Sequence, residues 1–547
     1  MQYKLLILTT ITSLRPSSGQ GLSTNPVLWE DLADLDIFRV GDVYYYSAST
    51  MAYSPGAPLL RSYDLIHWEF MTHSVPLLDF GAQYYLNGSG SAYVGGVWAS
   101  SLRYRESNDQ FYWIGCVDFS HTHIFTAPGS VVMEPGAPAT QWTGHPAINN
   151  CYYDCGLLID GDDSIYVSYG STTINVAKLT ADGLSEDYAQ AVYTSPNNTY
   201  IEGSRFYKIN STYYILVTVP ASGEWVLKSD DIWGPYEMRI LADAVTPPVA
   251  YSGNPHQGGL IETKDGLWYY AAFLDAYPGG RVPVLAPITW STDGWPSLDI
   301  ANNTWPSEIP FPIKTNKTVK PLTGKDFFRG PALGPEWEWN HNPDTDAISF
   351  DQTDGGLIMK TASVTDDLFL ARNTLTHRVL GPASRGTFQI DLSGIQDGDQ
   401  AGMALFRDSM AFIGLSKASD ELTLQYVDGL LLSNSAGNNW ETISNGTVKA
   451  TGPTFKISGN YTNIWLRIDV NILPAFGAPA EIKRHANFSY SFNGNDFTQL
   501  GSPFILSTSW EYFIGYRFGL FNFARKTLGG QIIARSFELE SISTVIF

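Results

Sequence analysis

The chain has few basic residues, few cysteines and no long apolar segment after its first residues. Its 547 residues contain 33 Lys and Arg against 54 Asp and Glu, a net charge of −21. Such a surface repels phosphate groups, so neither nucleic acid nor an anionic membrane is an expected partner. Neutral polymers such as polysaccharides remain compatible with this charge as binding partners. Without a further apolar run of about 20 residues, nothing predicts a membrane anchor.

The first residues, Met1 to Leu14, contain a lysine followed by a short apolar run. It is too short to span a bilayer, so it predicts a cleaved signal peptide, placed at residues 1–20. Eight Asn-x-Ser/Thr sequons also fit a secreted, extracellular glycoprotein. They are Asn87, Asn197, Asn210, Asn302, Asn316, Asn445, Asn460 and Asn487.

Only three cysteines are present: Cys116, Cys151 and Cys155. An odd number leaves at least one without an intramolecular partner. A disulfide between Cys116 and Cys151 and a set of buried free thiols are both compatible with the sequence. The spacing matches neither a zinc site nor a catalytic cysteine.

Aromatic residues, by contrast, make up 14% of the chain, with 50 Gly and 31 Pro, which is typical of short strands joined by turns. One strand, a Gly-Asp turn and a tyrosine-rich strand occupy Ile37–Tyr46, and this pattern recurs four times. The repeats are Leu102–Trp113, Leu157–Val167, Arg205–Ile215 and Leu260–Tyr270.

The intervals between the repeats leave room for one four-stranded sheet each, so the sequence predicts a five-bladed β-propeller. Just ahead of the five first strands stand Asp34, Trp98, Asp154, Glu202 and His256. In a propeller these positions meet at the mouth of the central channel. A single carboxylate before a strand is usually a turn or cap residue, but three at the same register indicate an active site.

The propeller is expected to cover residues 25–313, followed by a polar linker at 314–325. Residues 326–547 contain alternating segments such as Gly386–Leu392 and Ile464–Val470, which predict a β-sandwich of jelly-roll type. Trp337 and Trp339 are candidates for sugar stacking, although core packing is the favoured interpretation.

Three converging carboxylates suit glycosidic hydrolysis, which needs one protonated carboxyl and one ionised carboxylate. Placement on different blades favours the wide separation of inverting enzymes. The charge of a third carboxylate would help the acid to keep its proton. Arg281 either balances this negative charge, binds a sugar hydroxyl or forms a surface ion pair.

The sequence also resembles glycoside hydrolase family 43. The motifs that carry the resemblance include Asn25-Pro-Val-Leu, Tyr153-Asp154, Glu202-Gly203, His256-Gln-Gly-Gly259 and Arg281-Val-Pro. In the C-terminal half, Trp337 to Asp344 and Gly515 to Gly519 are similar to a fungal branch of that family. One departure is Ala33-Asp34-Leu35, where the family often has Pro-Asp-Pro.

The resemblance implies residue roles: Asp34 as general base, Glu202 as general acid, and Asp154 as the carboxylate that tunes and orients the acid. His256 matches a histidine that in many members approaches a calcium ion near the propeller axis. No cofactor is expected for the chemistry itself, and the calcium ion would be structural. Trp98, Tyr53, Arg281 and His256 are expected to contact substrate.

The implied activity is removal of α-L-arabinofuranosyl side chains from arabinoxylan or a related hemicellulose. Within the branch, the expected target is the O-3-linked arabinose of doubly substituted xylose, and the enzyme is expected to be a monomer. The alternatives are a β-xylosidase or endo-arabinanase on the same fold, and a propeller that binds carbohydrate without catalysis.

Overall fold

The computed structural model describes residues 21–134, 139–433, 440–457 and 462–543. The predicted signal peptide at 1–20 and the sequon at Asn460 lie outside these residues. The described part is almost entirely β-structure and forms the predicted five-bladed propeller followed by a β-sandwich. No helix within it is long and apolar enough to cross a membrane.

Each blade is a four-stranded antiparallel sheet whose strands follow one another along the chain. The first blade comprises Asp36–Val40, Val43–Ser47, Gly56–Ser62 and Trp68–Val75. The second comprises Ser100–Arg105, Gln110–Val117, His121–Pro128 and Thr143–Gly144. The third comprises Gly156–Ile159, Ile165–Tyr169, Thr173–Leu179 and Glu186–Thr194. The fourth comprises Glu202–Ile209, Thr212–Val219, Gly223–Ser229 and Glu237–Asp243, and the fifth His256–Glu262, Trp268–Asp275, Arg281–Trp290 and Pro296–Leu298.

The first strands of neighbouring blades contact each other in a closed ring, and the fifth contacts the first. Leu22–Thr24 pairs with Glu308–Pro310 beside this junction. The side chain of Asn25 donates to the carbonyl oxygens of Leu285 and Pro306 and accepts from the amide of Leu285. These contacts tie the start of the propeller to its last blade, and apolar clusters fill the space between successive blades.

The C-terminal domain packs two antiparallel sheets around one apolar core. One sheet contains Gly324–Asp326, Ile348–Phe350, Leu357–Lys360, Ala383–Asp391, Asn463–Asn471, His485–Ser491, Thr498–Gln499, Phe504–Ile505 and Gln531–Ser541. The other contains Trp337–Asn340, Leu375–Arg378, Asp399–Phe406, Ser409–Ala418, Glu421–Leu432, Thr442–Phe455 and Arg517–Ala524. Trp337 and Trp339 are buried in the core, so they offer no face to a sugar.

The two domains share a strand pair: Tyr53–Ser54 of the propeller pairs with the edge of Trp337–Asn340. The remaining elements are one short α-helix and six 3₁₀ turns among the described residues. They are Gly129–Val132, then Ala82–Tyr85, Glu106–Asn108, Ala139–Gln141, Pro196–Asn198, Thr345–Ala347 and Leu368–Leu370. A disulfide joins Cys116 to Cys151, and Cys155 is a buried free thiol.

Candidate active site

The three predicted carboxylates stand at the entrances of the first strands of blades one, three and four. Asp34 and Asp154 each lie two residues before their strand, whereas Glu202 is the first residue of its own. A β-bulge between Glu202 and Arg205 adds backbone at that point and accounts for the difference. His256 likewise opens the first strand of the fifth blade, with a bulge before Gly259.

The backbone at this ring of strand entrances is strained. Asp34 and Asp154 both adopt left-handed conformations, with φ angles of 56° and 49°. Gly203, next to Glu202, has a φ of 70°, which glycine adopts without steric cost. Non-glycine residues in this region cost free energy and are concentrated at functional sites. The fold of the blades therefore holds both aspartates in backbone conformations that are unfavourable for an isolated residue.

Asp34 is buried and fully hydrogen-bonded through its carboxylate. Its Oδ1 accepts a 2.8 Å hydrogen bond from Nη1 of Arg281, and its Oδ2 accepts one of 2.6 Å from the hydroxyl of Ser49. Both side chains of the Arg281–Asp34 pair are less than a tenth exposed. These two donors fix the orientation of the Asp34 carboxylate.

Asp154 and Glu202 form the other half of the site. Burial raises the pKa of Asp154 well above its usual value, and the negative charges of Glu202 and Asp34 raise it further. The hydroxyl of Tyr153 donates a 2.6 Å hydrogen bond to Oε2 of Glu202. Because two neighbouring carboxylates repel each other, the Asp154–Glu202 pair retains a proton that a lone surface carboxyl would lose.

Arg281 balances the negative charge, which was one of the three interpretations of this residue. Besides Asp34, its side chain donates to the carbonyl oxygen of Phe513 at 3.1 Å, and its guanidinium lies over the rings of Phe273 and Phe513. It is 7% exposed. The surface ion pair is therefore excluded.

The expectation that Tyr53 offers a stacking face to substrate is wrong. Its ring is 2% exposed and lies against the guanidinium of Arg517, 3.7 Å from the ring centroid. The reason is the strand pair between the two domains, which includes Tyr53 and covers it with the sandwich. The sequence of the propeller alone does not contain this information.

Trp98 is half-buried and anchored by a 2.8 Å hydrogen bond from its indole Nε1 to the carbonyl oxygen of Val94. Its ring contacts Phe119 edge-on, and Phe119 stacks on Tyr153. It also lines a cavity of about 810 Å³ between the domains, together with Trp440 of the sandwich. A contact between Trp98 and substrate stays a prediction.

His256 is buried, its ring packs edge-on against Phe273, and its Nδ1 lies 2.8 Å from the carbonyl oxygen of Asn254. Within the described ranges, no group of three or more His, Cys, Asp or Glu side chains is arranged to hold a metal ion. The expected calcium ion near His256 stays a prediction, and no step of the reaction is derived through a metal.

Four further contributors were not assigned a role from the sequence. Ser49, Tyr153 and Arg205 hold the carboxylates or their backbone, and Phe513 brings the sandwich to Arg281. Arg205 had no distinctive signal in the sequence, because the first strands of other blades also contain arginines, such as Arg39 and Arg103. Phe513 had none either, since it comes from another domain.

The arrangement combines a carboxylate held next to a guanidinium with a carboxylate pair that retains a proton. These are the two states that general acid–base cleavage of an acetal requires. The ring of blades keeps them on separate strands, so they can act on opposite sides of a bound sugar.

Comparison with known proteins agrees with this geometry. Residues 23–296 match the family described as Glycosyl hydrolases family 43. Residues 325–535 match the family described as Beta xylosidase C-terminal Concanavalin A-like domain. The two matches correspond to the propeller and the sandwich.

Relatives of similar length carry several names. A putative beta-xylosidase of Xylanibacter ruminicola is 27% identical over 515 residues, covering 92% of this chain and 86% of the relative. A non-reducing end alpha-L-arabinofuranosidase of Bacteroides ovatus, BoGH43B, is 28% identical over 66% of this chain and 69% of its own. One solved structure is 48% identical, with a TM-score of 0.91, and covers 95% of this chain and 100% of that chain. It is described as a GH43 glycoside hydrolase whose engineered active site gives both endo-xylanase and exo-arabinofuranosidase activity.

Proposed function

The chain belongs to glycoside hydrolase family 43, and on that premise we propose that it removes α-L-arabinofuranosyl side chains from arabinoxylan with inversion of configuration. The bond expected to be cleaved is the O-3 linkage of arabinose on doubly substituted xylose. The observation that carries the proposal is the difference in surroundings among the three carboxylates on blades one, three and four. Asp34 is bound by Arg281, whereas burial and the charges of Glu202 and Asp34 raise the pKa of Asp154.

In the proposed mechanism, Asp34 takes a proton from a water molecule that attacks the anomeric carbon of the arabinose. Arg281 and Ser49 hold its carboxylate in place through hydrogen bonds to both oxygens. Glu202, oriented by Tyr153, protonates the departing oxygen of the xylose. Asp154 repels charge on Glu202 and so helps the pair to keep that proton until the bond breaks.

The choice of arabinose rests on two relatives. The 48% identical structure is described with an engineered active site that gives exo-arabinofuranosidase activity besides endo-xylanase activity, and BoGH43B is named an arabinofuranosidase. The cavity beside Trp98 supports a branched substrate, because it leaves room next to the site for sugars that are not cleaved.

β-Xylosidase activity is the second candidate. It is favoured by the names of other relatives, such as the putative beta-xylosidase of Xylanibacter ruminicola. The catalytic carboxylates would act in the same way on a terminal xylose, so the shape of the sugar pocket decides between the two candidates.

NMR analysis of products tests both proposals. Arabinoxylan that carries singly and doubly substituted xylose is incubated with the enzyme, and the first sugar released is identified with its anomeric configuration. We expect β-arabinose from doubly substituted xylose. Release of xylose would favour the second candidate, and α-arabinose as the first product would contradict the role of Asp34.

We also propose that the enzyme is a secreted monomer that acts on hemicellulose outside the cell. The disulfide between Cys116 and Cys151 supports secretion, because such bonds persist in oxidising compartments. N-terminal sequencing of the protein from culture medium and light scattering of the purified enzyme test the two statements separately.

A further inference from the structure

We propose that Asp31 is a positioning residue through which the C-terminal sandwich fixes the catalytic base and its arginine. The inference rests on the proposed role of Asp34, and it gives the sandwich a part in catalysis. Asp31 lies three residues before Asp34 in the loop that enters the first blade, and it is 5% exposed.

The carboxylate of Asp31 joins the fifth blade to the sandwich. Its Oδ1 accepts a 2.8 Å hydrogen bond from the backbone amide of Arg281, and its Oδ2 accepts one of 2.9 Å from the backbone amide of Gly515. Burial raises the pKa of Asp31, and these two amides oppose that shift. One buried side chain therefore holds together the base loop, the arginine and the second domain.

The backbone of the loop is held from the same two sides. The amide of Leu32 donates to the carbonyl oxygen of Arg281 at 3.0 Å. Nε of Arg378, in the sandwich, donates to the carbonyl oxygen of Asp31 at 3.0 Å. Since Nη1 of Arg281 also binds the carboxylate of Asp34, the sandwich reaches the base through a short series of hydrogen bonds.

The sandwich segment around Gly515 lies alongside the propeller turn that precedes Arg281. In this segment, the carbonyl oxygen of Phe513 accepts a 3.1 Å hydrogen bond from Nε of Arg281. The amide of Tyr516 donates to the carbonyl oxygen of Pro278 at 3.3 Å. The turn is thus bound along its length by the second domain.

Two glycines make this approach possible. A Cβ atom on Gly515 would collide with the carbonyl oxygen of Gly279, and one on Gly280 would collide with Oδ1 of Asp31. Neither position has room for a methyl group unless the backbones separate. A methyl group on Gly515 would therefore disturb the same junction from the sandwich side.

The test uses the full-length enzyme and two variants, Asp31→Asn and Gly515→Ala. An ionised carboxylate accepts hydrogen bonds on both oxygens, whereas an amide must place its NH₂ group against one of the two N–H donors. Gly515→Ala leaves Asp31 intact but pushes the sandwich away from the turn. It keeps the test valid if Asp31→Asn does not fold.

Asn342→Ala is the matched control. Asn342 is a buried sandwich residue that exchanges two 2.9 Å hydrogen bonds with the backbone of Leu78 in the propeller. The substitution weakens the domain interface without touching Asp31 or Arg281. The melting temperature of each variant sets the temperature at which activity is compared, so that all are fully folded.

With 4-nitrophenyl α-L-arabinofuranoside as substrate, both test variants are expected to lose about tenfold to a hundredfold in kcat, as misplacement of a catalytic group does, with KM changed by less than about threefold. Asn342→Ala is expected to keep the wild-type kcat and KM.

Lower melting temperatures with unchanged kcat in both test variants would show that Asp31 is only structural. An equal loss of kcat in Asn342→Ala would also overturn the proposal, because any weakening of the interface would then suffice. Asp34→Asn is measured in parallel. If this variant remains active, the proposed role of Asp34 as general base is wrong. That result is distinct from the results that would contradict the role of Asp31.

Discussion

The guanidinium of Arg205 donates a 2.6 Å hydrogen bond to the backbone carbonyl oxygen of Asp34, which links the fourth blade to the first. The same side chain donates to the carbonyl oxygens of Leu35 and Cys155, at 3.0 and 3.2 Å. Cys155 follows Asp154 directly. One buried arginine therefore holds the backbone next to two of the three carboxylates.

Arg205→Lys is expected to lower both the melting temperature and kcat. A lysine keeps the charge but loses the fork of donors, so some of these buried carbonyl groups lose their partners, each at a cost of about 1–3 kcal/mol. Thermal unfolding and steady-state kinetics measure the two effects. Arg239→Lys, at a half-exposed ion pair, is the control and is expected to change neither. A wild-type melting temperature and kcat in Arg205→Lys would mean that the guanidinium hydrogen bonds contribute to neither quantity.

Glu202→Gln and Asp34→Asn are each expected to reduce kcat by about 10²-fold or more, because one removes proton donation and the other removes activation of water. Circular dichroism should show an unchanged fold. Substrates with good leaving groups should rescue Glu202→Gln in part, since they need little protonation, and should not rescue Asp34→Asn. An equal response of both variants would contradict the assignment of acid and base.

Asp154→Asn is expected to move the alkaline limb of kcat/KM to lower pH. Burial and the charges of Glu202 and Asp34 raise the pKa of Asp154, so the wild-type pair holds a proton at higher pH than a lone carboxyl. The variant lacks the repulsion that keeps this proton in place. The profile is measured against Asp187→Asn, an exposed residue of the same blade. An unchanged alkaline limb would show that Asp154 does not tune the acid.

Glu224→Gln is expected to make stability less dependent on pH. Burial raises the pKa of Glu224 to about 8 from the usual 4.5, so the folded protein holds a proton that the unfolded chain has lost. Stability therefore falls as the pH rises from 4.5 to 8, by roughly 4 kcal/mol at most, and the amide removes this loss. Urea unfolding at pH 5 and pH 8 measures it, with the exposed Glu262→Gln as control. Equal pH dependence in Glu224→Gln and the wild type would contradict the raised pKa.

The repeated hairpins were sufficient to predict the propeller, because each blade begins with the same order of strand, polar turn and strand. The same register selected Asp34, Asp154 and Glu202, since a strand entrance has the same place in every blade. It could not assign roles to them, because acid and base differ only in their surroundings. Those surroundings are Arg281 and Ser49 for Asp34, and Tyr153 for Glu202.

The sequence by itself determined the local pattern: five sheets, a second β domain, and which carboxylates stand at the strand entrances. The tertiary structure alone decided what surrounds them. It buried Tyr53 under the sandwich, paired Cys116 with Cys151, and brought Gly515 to Asp31 across 484 residues of chain. Periodicity reports which face of a strand is covered, whereas contacts between distant segments depend on how two folded surfaces fit together, and no local pattern encodes that fit.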